Sequence, residues 1–250
     1  MVDPPSARDL AFSLFDQSRP VAVRGDPSVG VVATAVRRGQ AHVRLLVVDP
    51  ARRRQGLGSD LLADAEADLS GRGPIVVGAD APDYMFPGAD TTEIGLLTLL
   101  ERRGYRRVDT TFNMSVDLAS LPSPPDVAEV HAKIDGGELR AFTTAHYPGW
   151  TDEALWAHAA GTIVATLDAD GLSGFCAWDV TRQGWLGPMA VRPAERRRGT
   201  GTPLVLAALH RMADSGRASA QISWVGPLAF YAKTVGAIIS RTFFVYRQDR

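Results

Sequence analysis

The sequence predicts two α/β domains in tandem, each a mixed, mostly antiparallel sheet flanked by helices, with the first one truncated. Three observations carry this expectation. VVDPARRRQGLGSDLL (47–62) lies over AVRPAERRRGTGTPLV (190–205) at a constant offset of 143 residues, and such a repeat sets the architecture before any single element does. The same order of strands and helices follows each copy. Between the copies, DLASLPSPPD (117–126) places three prolines within four positions, the mark of a linker. The expected domains are 1–118 and 126–250, joined through 119–125.

In the first domain, AHVRLLVV reads as a strand and the turn that follows opens a helix from Ser59 to Leu69. PIVVG is a strand, EIGLLTLLERRG a helix, and RRVDTTFNMSV a closing strand. Some 45 residues precede the first glycine turn, against about 65 in the second domain, so early helices are expected to be missing there. In the second domain EVHAKI and TIVATLDAD read as strands, separated by a helix at DEALWAHAA that Thr151 or Asp152 caps. LSGFCAWDV and GWLGPMAV follow as strands, and PLVLAALHRMA as a helix with Pro203 in its tolerant first turn. A strand ASAQISW, a helix LAFYAKTVG and a strand IISRTFFVYRQ complete the chain.

Composition narrows the function classes. Of 250 residues, 45% are hydrophobic and 22% charged, ordinary values for a soluble protein. No run approaches the roughly 20 apolar residues of a membrane span, and MVDPPSARDL is not a signal peptide, so a cytoplasmic protein is expected. A net charge of −1 gives no bulk attraction to nucleic acid or membrane surfaces. Cys176 is the only cysteine and lies in the apolar run GFCAW, as a buried strand cysteine would. The five histidines show no metal-ligand spacing, so no metal site is expected. Only Lys133 and Lys233 are lysines among 27 basic residues, a bias that cautions against reading each arginine cluster as functional.

A strand, then Arg-x-x-Gly-x-Gly, then a helix converges backbone N–H groups on one point. Helix N-termini carry unpaired donors and partial positive charge, which suits phosphate. Glycine allows close approach and positive φ, and arginines add charge-assisted bonds. Neither copy is a P-loop or a GxGxxG fingerprint.

The pattern V-x-P-x-x-R-x-x-G-x-G, followed one strand later by a helix bearing Phe230, Tyr231, Lys233 and Gly236, resembles the GCN5-related N-acetyltransferase (GNAT) superfamily. The resemblance covers nearly all of 126–250 and most of 30–118, so the chain looks like a tandem member. It implies acetyl-CoA or CoA as cofactor, its pyrophosphate on Arg196, Arg197, Arg198, Gly199, Thr200, Gly201 and Thr202. It also implies that backbone groups of Met189, Ala190 and Val191 pair with the pantetheine arm, and that GWLGPMAV and ASAQISW splay apart to admit it.

Acetyl transfer needs a neutral amine and an acid for the departing thiolate. By the same resemblance Tyr231 supplies the acid, whereas aligning LLERRGY (99–105) on FYAKTVGA puts Leu100 at that place in the first domain. The first domain is therefore expected to be degenerate and structural, with the second catalytic. The family's usual asparagine at the start of that helix is replaced by Trp224-Val225-Gly226. Candidate bases are Asp179, and Asp152 or Glu153, with Ser223 as a relay through water.

All five tryptophans lie in the second domain. Trp150, Trp178 and Trp224, with Asp152, are the expected acceptor contacts, because indole faces stack on sugar rings. The ISWVGPLAFY segment and the tandem layout are similar to bacterial glucosamine-type acetyltransferases, and also to mycothiol synthases. The expected partner is a small-molecule amine, an amino sugar first, with an aminoglycoside, a polyamine, a mycothiol precursor or a protein N-terminus as alternatives. A monomer or homodimer is expected. A non-catalytic acyl-CoA sensor remains the reading from another class.

Overall fold

A computed structural model describes residues 4–16, 21–82, 84–123, 130 and 133–249. Packing divides the chain into two compact units, Met1–Phe112 with Arg241–Arg250, and Asn113–Ser240. In chain order the elements of the first repeat are α1 (Ala7–Phe15), β1 (Ala22–Asp26), β2 (Gly30–Arg37), β3 (Gln40–Val48), α2 (Leu57–Asp68), β4 (Ile75–Val77), β5 (Ala89–Asp90), α3 (Ile94–Arg102) and β6 (Arg106–Asp117). The second repeat contributes α4 (Gly136–His146), α5 (Thr151–Ala160), β7 (Ile163–Asp168), β8 (Gly171–Trp178), β9 (Trp185–Val191), α6 (Gly201–Asp214), β10 (Ser219–Ile222), α7 (Leu228–Val235) and β11 (Ile238–Gln248).

Within the first unit β1, β2 and β3 form an antiparallel meander, β4 joins β3 in parallel, and the end of β11 pairs antiparallel with β4, Tyr246 opposite Val77. Within the second, β7, β8 and β9 are antiparallel, β10 is parallel to β9, and the end of β6 pairs antiparallel with β10, Met114 opposite Ile222. Each unit thus takes the strand beside its parallel pair from the other repeat. Packing units and sequence segments differ for that reason: 113–118 goes with the second unit and 241–250 with the first.

In both units helices cover two faces of the sheet. Leu204, Val205, Ala208, Leu209 and Met212 of α6 recur at helical spacing and bury against Met114, Val116, Ala220 and Ile222, with Tyr231 and Val235 of α7 beside them. Burial of a leucine such as Leu204 or Leu209 contributes about 1.5–3 kcal/mol each. On the opposite face α4 and α5 bring Leu139, Phe142, Ala154 and Ala157 onto Ala165, Phe175 and Ala190. The first unit repeats this with α2 and α3 on one face, but only α1 and a smaller cluster around Leu14, Ala33, Leu45 and Met85 on the other. That single early helix, closed by a reciprocal Ser6–Asp9 capping box, is the expected truncation.

Three local expectations change. Half of the strand expected at 129–134 falls outside the described residues, and 133–135 have no regular structure. The helix α4 was not expected; Asp135 starts it by accepting from the Glu138 N–H at 2.9 Å. Thr151 lies inside α5, whose N-cap is Trp150.

Candidate functional site

The doubled turn is reproduced in the backbone. Arg197 and Gly199 have φ of 66° and 94°, and Arg54 and Gly56 have 64° and 93°. Left-handed residues alternating with ordinary ones turn successive N–H groups toward one side, an anion-binding concavity. Among the described residues no side chain caps α6 or α2, whose N-caps are Thr200 and Gly56, so their first-turn donors have no side-chain cap in the way of a phosphate. A Cβ on Gly199 would meet nothing within 4 Å, which leaves the approach to the backbone clear. Gly201 serves packing: its Cβ would lie 3.3 Å from the Phe230 ring.

Behind the turn the parallel pair of the second unit ends early. β10 pairs with β9 only at Gln221–Trp185 and Ile222–Leu186, and beyond Leu186 the edge of β9 has no strand partner in the register. Arg192 donates to the Ser173 carbonyl at 2.7 Å. By antiparallel alternation the backbone of Val191 and Met189 then aims into the splay, while Ala190 bonds toward β8. Of the three expected partners of an extended arm, two are therefore presented and Ala190 is not. The Val191 carbonyl accepts from the Tyr147 hydroxyl, and Arg196 donates to that hydroxyl at 2.8 Å. In the first unit Arg53, the counterpart of Arg196, donates directly to the Val48 carbonyl at 3.2 Å. The arginine three residues before the first glycine of each turn, Arg53 or Arg196, thus tethers the turn to its strand, Arg196 through Tyr147. Arg198 pairs with Glu195 at 3.1 Å, and Arg197 is exposed.

Tyr231 sits on α7 with 7% of its surface exposed, in the core that also holds Cys176. Burial, and then the nearby Cys176 thiol, push its phenol well above the ordinary tyrosine value, so the proton stays on oxygen throughout the neutral range. Burial raises the Cys176 thiol likewise, which removes it as a nucleophile. On α3 of the first unit Leu100 is wholly buried, on the helix corresponding to α7.

The remaining candidates do not form one pocket. Trp150 stacks on Tyr147, centroids 5.2 Å apart and planes at 8°, and so belongs beside Arg196 at the C-terminal end of β9. Asp179 lies at the other end of β9. Its carboxylate accepts from the Gly184 N–H at 2.5 Å and from Arg217 at 2.6 Å, holding the β8–β9 turn at its own φ of 55°. The two are roughly 20 Å apart along the strand. Trp178 is 7% exposed and packs in the core, because its parity on β8 points it inward. Asp152 is exposed on the first turn of α5, and Glu153 next to it is buried. Ser223 and Trp224 do follow directly on β10, at the mouth of the splay. Trp224 has φ of 48°, and its N–H donates at 3.0 Å to Oδ1 of Asn113, a buried residue of β6 with no counterpart in the sequence motif. Neither Asn113 nor Tyr147 carried a signal in the sequence, since each acts through a neighbour distant along the chain.

The first unit has a cavity of its own. There too the parallel pair ends early, at Val43–Val77. A cavity of about 470 Å³ runs from the turn along the free edge of β3 to the end of β4, and is walled by one face of α3, the 86–93 connection and Arg241. Arg241 is held by Asp90 at 2.7 Å, its guanidinium over the rings of Phe86 and Phe243. Among the described residues, no group of three or more side chains is arranged to hold a metal, and no helix is long and apolar enough to cross a membrane.

Comparison with known proteins agrees with this geometry. Residues 13–82 match a family described as an acetyltransferase (GNAT) domain, and residues 133–236 the acetyltransferase (GNAT) family. No curated protein sequence matches the chain. Among solved structures, the GCN5-related glucosamine N-acetyltransferase region of a fungal multi-domain GH3 beta-N-acetylglucosaminidase is similar over 98% of this chain and 35% of that one, at 19% identity and a TM-score of 0.78. This chain thus spans about a third of that protein. A tandem GNAT protein from the clavulanic acid biosynthesis pathway is similar over 100% of this chain and 89% of its own, at 18% identity and a TM-score of 0.70. A GCN5-related N-acetyltransferase from Sphaerobacter thermophilus follows at 18% identity, 88% and 76% coverage and a TM-score of 0.65. At such identities the likeness is one of fold.

Proposed function

We propose, from the premise that this chain is a tandem of two GNAT-family domains, that its second domain transfers an acetyl group from acetyl-CoA to the primary amine of a small molecule, an amino sugar above all. The observation that carries this reading is the placement of Tyr231, a buried phenol held in its protonated form, in the same unit as an uncapped glycine turn and an open strand edge.

The residues fit the cofactor. The amides around Gly199 and the start of α6 would hold the pyrophosphate, and Val191 and Met189 would hold the pantetheine arm once Tyr147 yields its bond to Val191. When bound, acetyl-CoA supplies an acetyl group activated as a thioester. Tyr231 keeps a proton on its hydroxyl for the sulfur that leaves, and the apolar core around it excludes water. The amine must arrive neutral. With Asp179 engaged by Gly184 and Arg217, the chain's contribution there falls to Ser223 at the splay mouth, acting through water.

The amino-sugar preference rests on two supports. One fold neighbour is named a glucosamine N-acetyltransferase region. In addition, neutral polar groups gather beside Trp224: the Ser240 hydroxyl shares its one proton between the Gln221 side-chain oxygen at 2.9 Å and the Asn113 carbonyl at 3.3 Å. Neutral hydrogen-bonding groups beside an indole suit a hydroxyl-bearing ring better than a polycation. The test is thiol release from acetyl-CoA with glucosamine, its oligomers, spermidine, lysine peptides and aminoglycosides under one set of conditions. Polyamines or peptides exceeding every sugar in kcat/KM would end the amino-sugar reading. No release with any amine would end the acetyltransferase reading.

A further inference from the structure

We propose that Asn113 is a positioning residue for acetyl transfer in the second unit: by pinning the Trp224 N–H it holds the turn that places Ser223, Trp224 and the start of α7. The inference rests on the reading of the second domain as the one that transfers the acetyl group.

Both units leave their parallel pair through the same backbone turn. The pairs that end it, Val43–Val77 and Leu186–Ile222, are equivalent, because Val43 and Leu186 stand at the repeat offset of 143. Two residues beyond each pair lies a non-glycine residue in the left-handed region, Ala79 at φ 53° and Trp224 at φ 48°. A residue with a bulky side chain seldom adopts that conformation, which persists only where its surroundings fix it. In the first unit the fixing bond is local. The Ala79 N–H donates at 3.2 Å to the Phe86 carbonyl, within the long 78–93 connection between β4 and α3. In the second, only residues 223–227 separate β10 from α7, too few to double back in that way. The acceptor there is a side chain, Oδ1 of Asn113, 3.0 Å from the Trp224 nitrogen.

This amide belongs to the second unit alone. Met114 faces Ile222 and Tyr246 faces Val77, so the counterpart of Asn113 on β11 is Val245. Both positions are buried, and packing alone is met by valine. Asn113 is wholly buried, and its Nδ2 meets no acceptor among the described residues, a poor arrangement for a side chain that served stability only. Its backbone is held in turn, the carbonyl lying 3.3 Å from the Ser240 hydroxyl that it shares with Gln221.

The turn carries the groups assigned to the chemistry. Ser223 and Trp224 are part of it, and α7, which bears Tyr231, follows directly. No side chain caps the start of that eight-residue helix, so the link before it decides where it begins. A shift of about 1 Å at a reacting group can cost about 10²-fold in rate. The glycine turn and the edge of β9, which would hold the cofactor, are separate elements and stay in place.

The experiment is steady-state thiol release by the full chain with the best amine of the panel, for wild type, Asn113→Ala, Trp224→Gly and the double variant, each with its urea midpoint. Asn113→Ala should lower kcat about tenfold or more and leave KM for acetyl-CoA within about twofold, a split that general loosening of the fold would not give. Trp224→Gly removes the indole and lowers activity by itself. Glycine, however, takes a φ of 48° without help. Adding Asn113→Ala to that background should therefore change kcat by less than about threefold. The two glycine-background chains decide the matter even if Asn113→Ala alone does not fold. Wild-type kcat in Asn113→Ala, an equal loss in both backgrounds, or a KM for acetyl-CoA that rises as kcat falls would overturn the inference and leave the proposed function standing. A wild type that releases no thiol with any amine would overturn both.

Discussion

Tyr231→Phe tests the chemistry of the second domain with the least disturbance to its fold. The ring is 7% exposed and packs edge-on to Phe230, centroids 5.0 Å apart, and phenylalanine keeps that contact while removing the hydroxyl. General acid catalysis contributes roughly 10²–10⁴-fold. A loss of about 10²-fold in kcat, or about 2.7 kcal/mol of barrier, is the least that a proton donor should show. KM for acetyl-CoA should change little, because the hydroxyl acts when the sulfur leaves. The assay is steady-state thiol release at saturating amine, repeated across pH. Because burial raises the phenol above its ordinary value, wild-type kcat should show no alkaline fall from this group below about pH 10. A variant within threefold of wild-type kcat, or a wild-type alkaline limb that Tyr231→Phe removes near neutral pH, would refute the role.

Three other outcomes follow from particular contacts. Trp150→Ala should raise KM for acetyl-CoA more than for the amine, since its stack on Tyr147 leads to Arg196 and Val191, and initial rates with each substrate varied in turn decide it. Asp179→Ala should lower unfolding free energy by about 1–3 kcal/mol, read in urea, because the Arg217 guanidinium and the Gly184 N–H lose their acceptor. Tyr246, raised to about 12 by burial and then by its bond to Glu101, keeps its proton in the folded state where the unfolded chain has given it up. Stability should therefore fall as pH climbs from about 10 through about 12, and Tyr246→Phe should flatten that slope in denaturation curves.

Much of the fold was legible because it is written locally. Gly56 and Gly199 mark the two turns, the apolar spacing of Leu204 to Met212 marks α6, and Gly236 ends α7 in the left-handed conformation that residue suggests. What was not legible depends on partners distant in sequence. A strand's period does not name its neighbour, so nothing in RRVDTTFNMSV or IISRTFFVYRQ told that each would pair within the other repeat's unit. The Gly136–Gly137 opening hid α4, whose start depends on the Asp135 side chain. The expected acceptor contacts are spread apart: Trp178 and Trp150 look alike as residues near element ends, yet strand parity buries one and a stack on Tyr147 carries the other to the glycine-turn end of β9. The first unit's cavity was missed because diverging backbone and a loop wall make it, while the sequence shows only the missing tyrosine at Leu100.

The most direct measurement is a crystal structure of the full chain with acetyl-CoA. Pyrophosphate is expected on the amides from Gly199 to Thr202, the arm along Met189 and Val191 with Tyr147 displaced from the Val191 carbonyl, and the thioester sulfur within hydrogen-bond reach of the Tyr231 hydroxyl. A ligand seated on that turn whose sulfur lies beyond reach of Tyr231, or a second unit left empty while the first is filled, would contradict it.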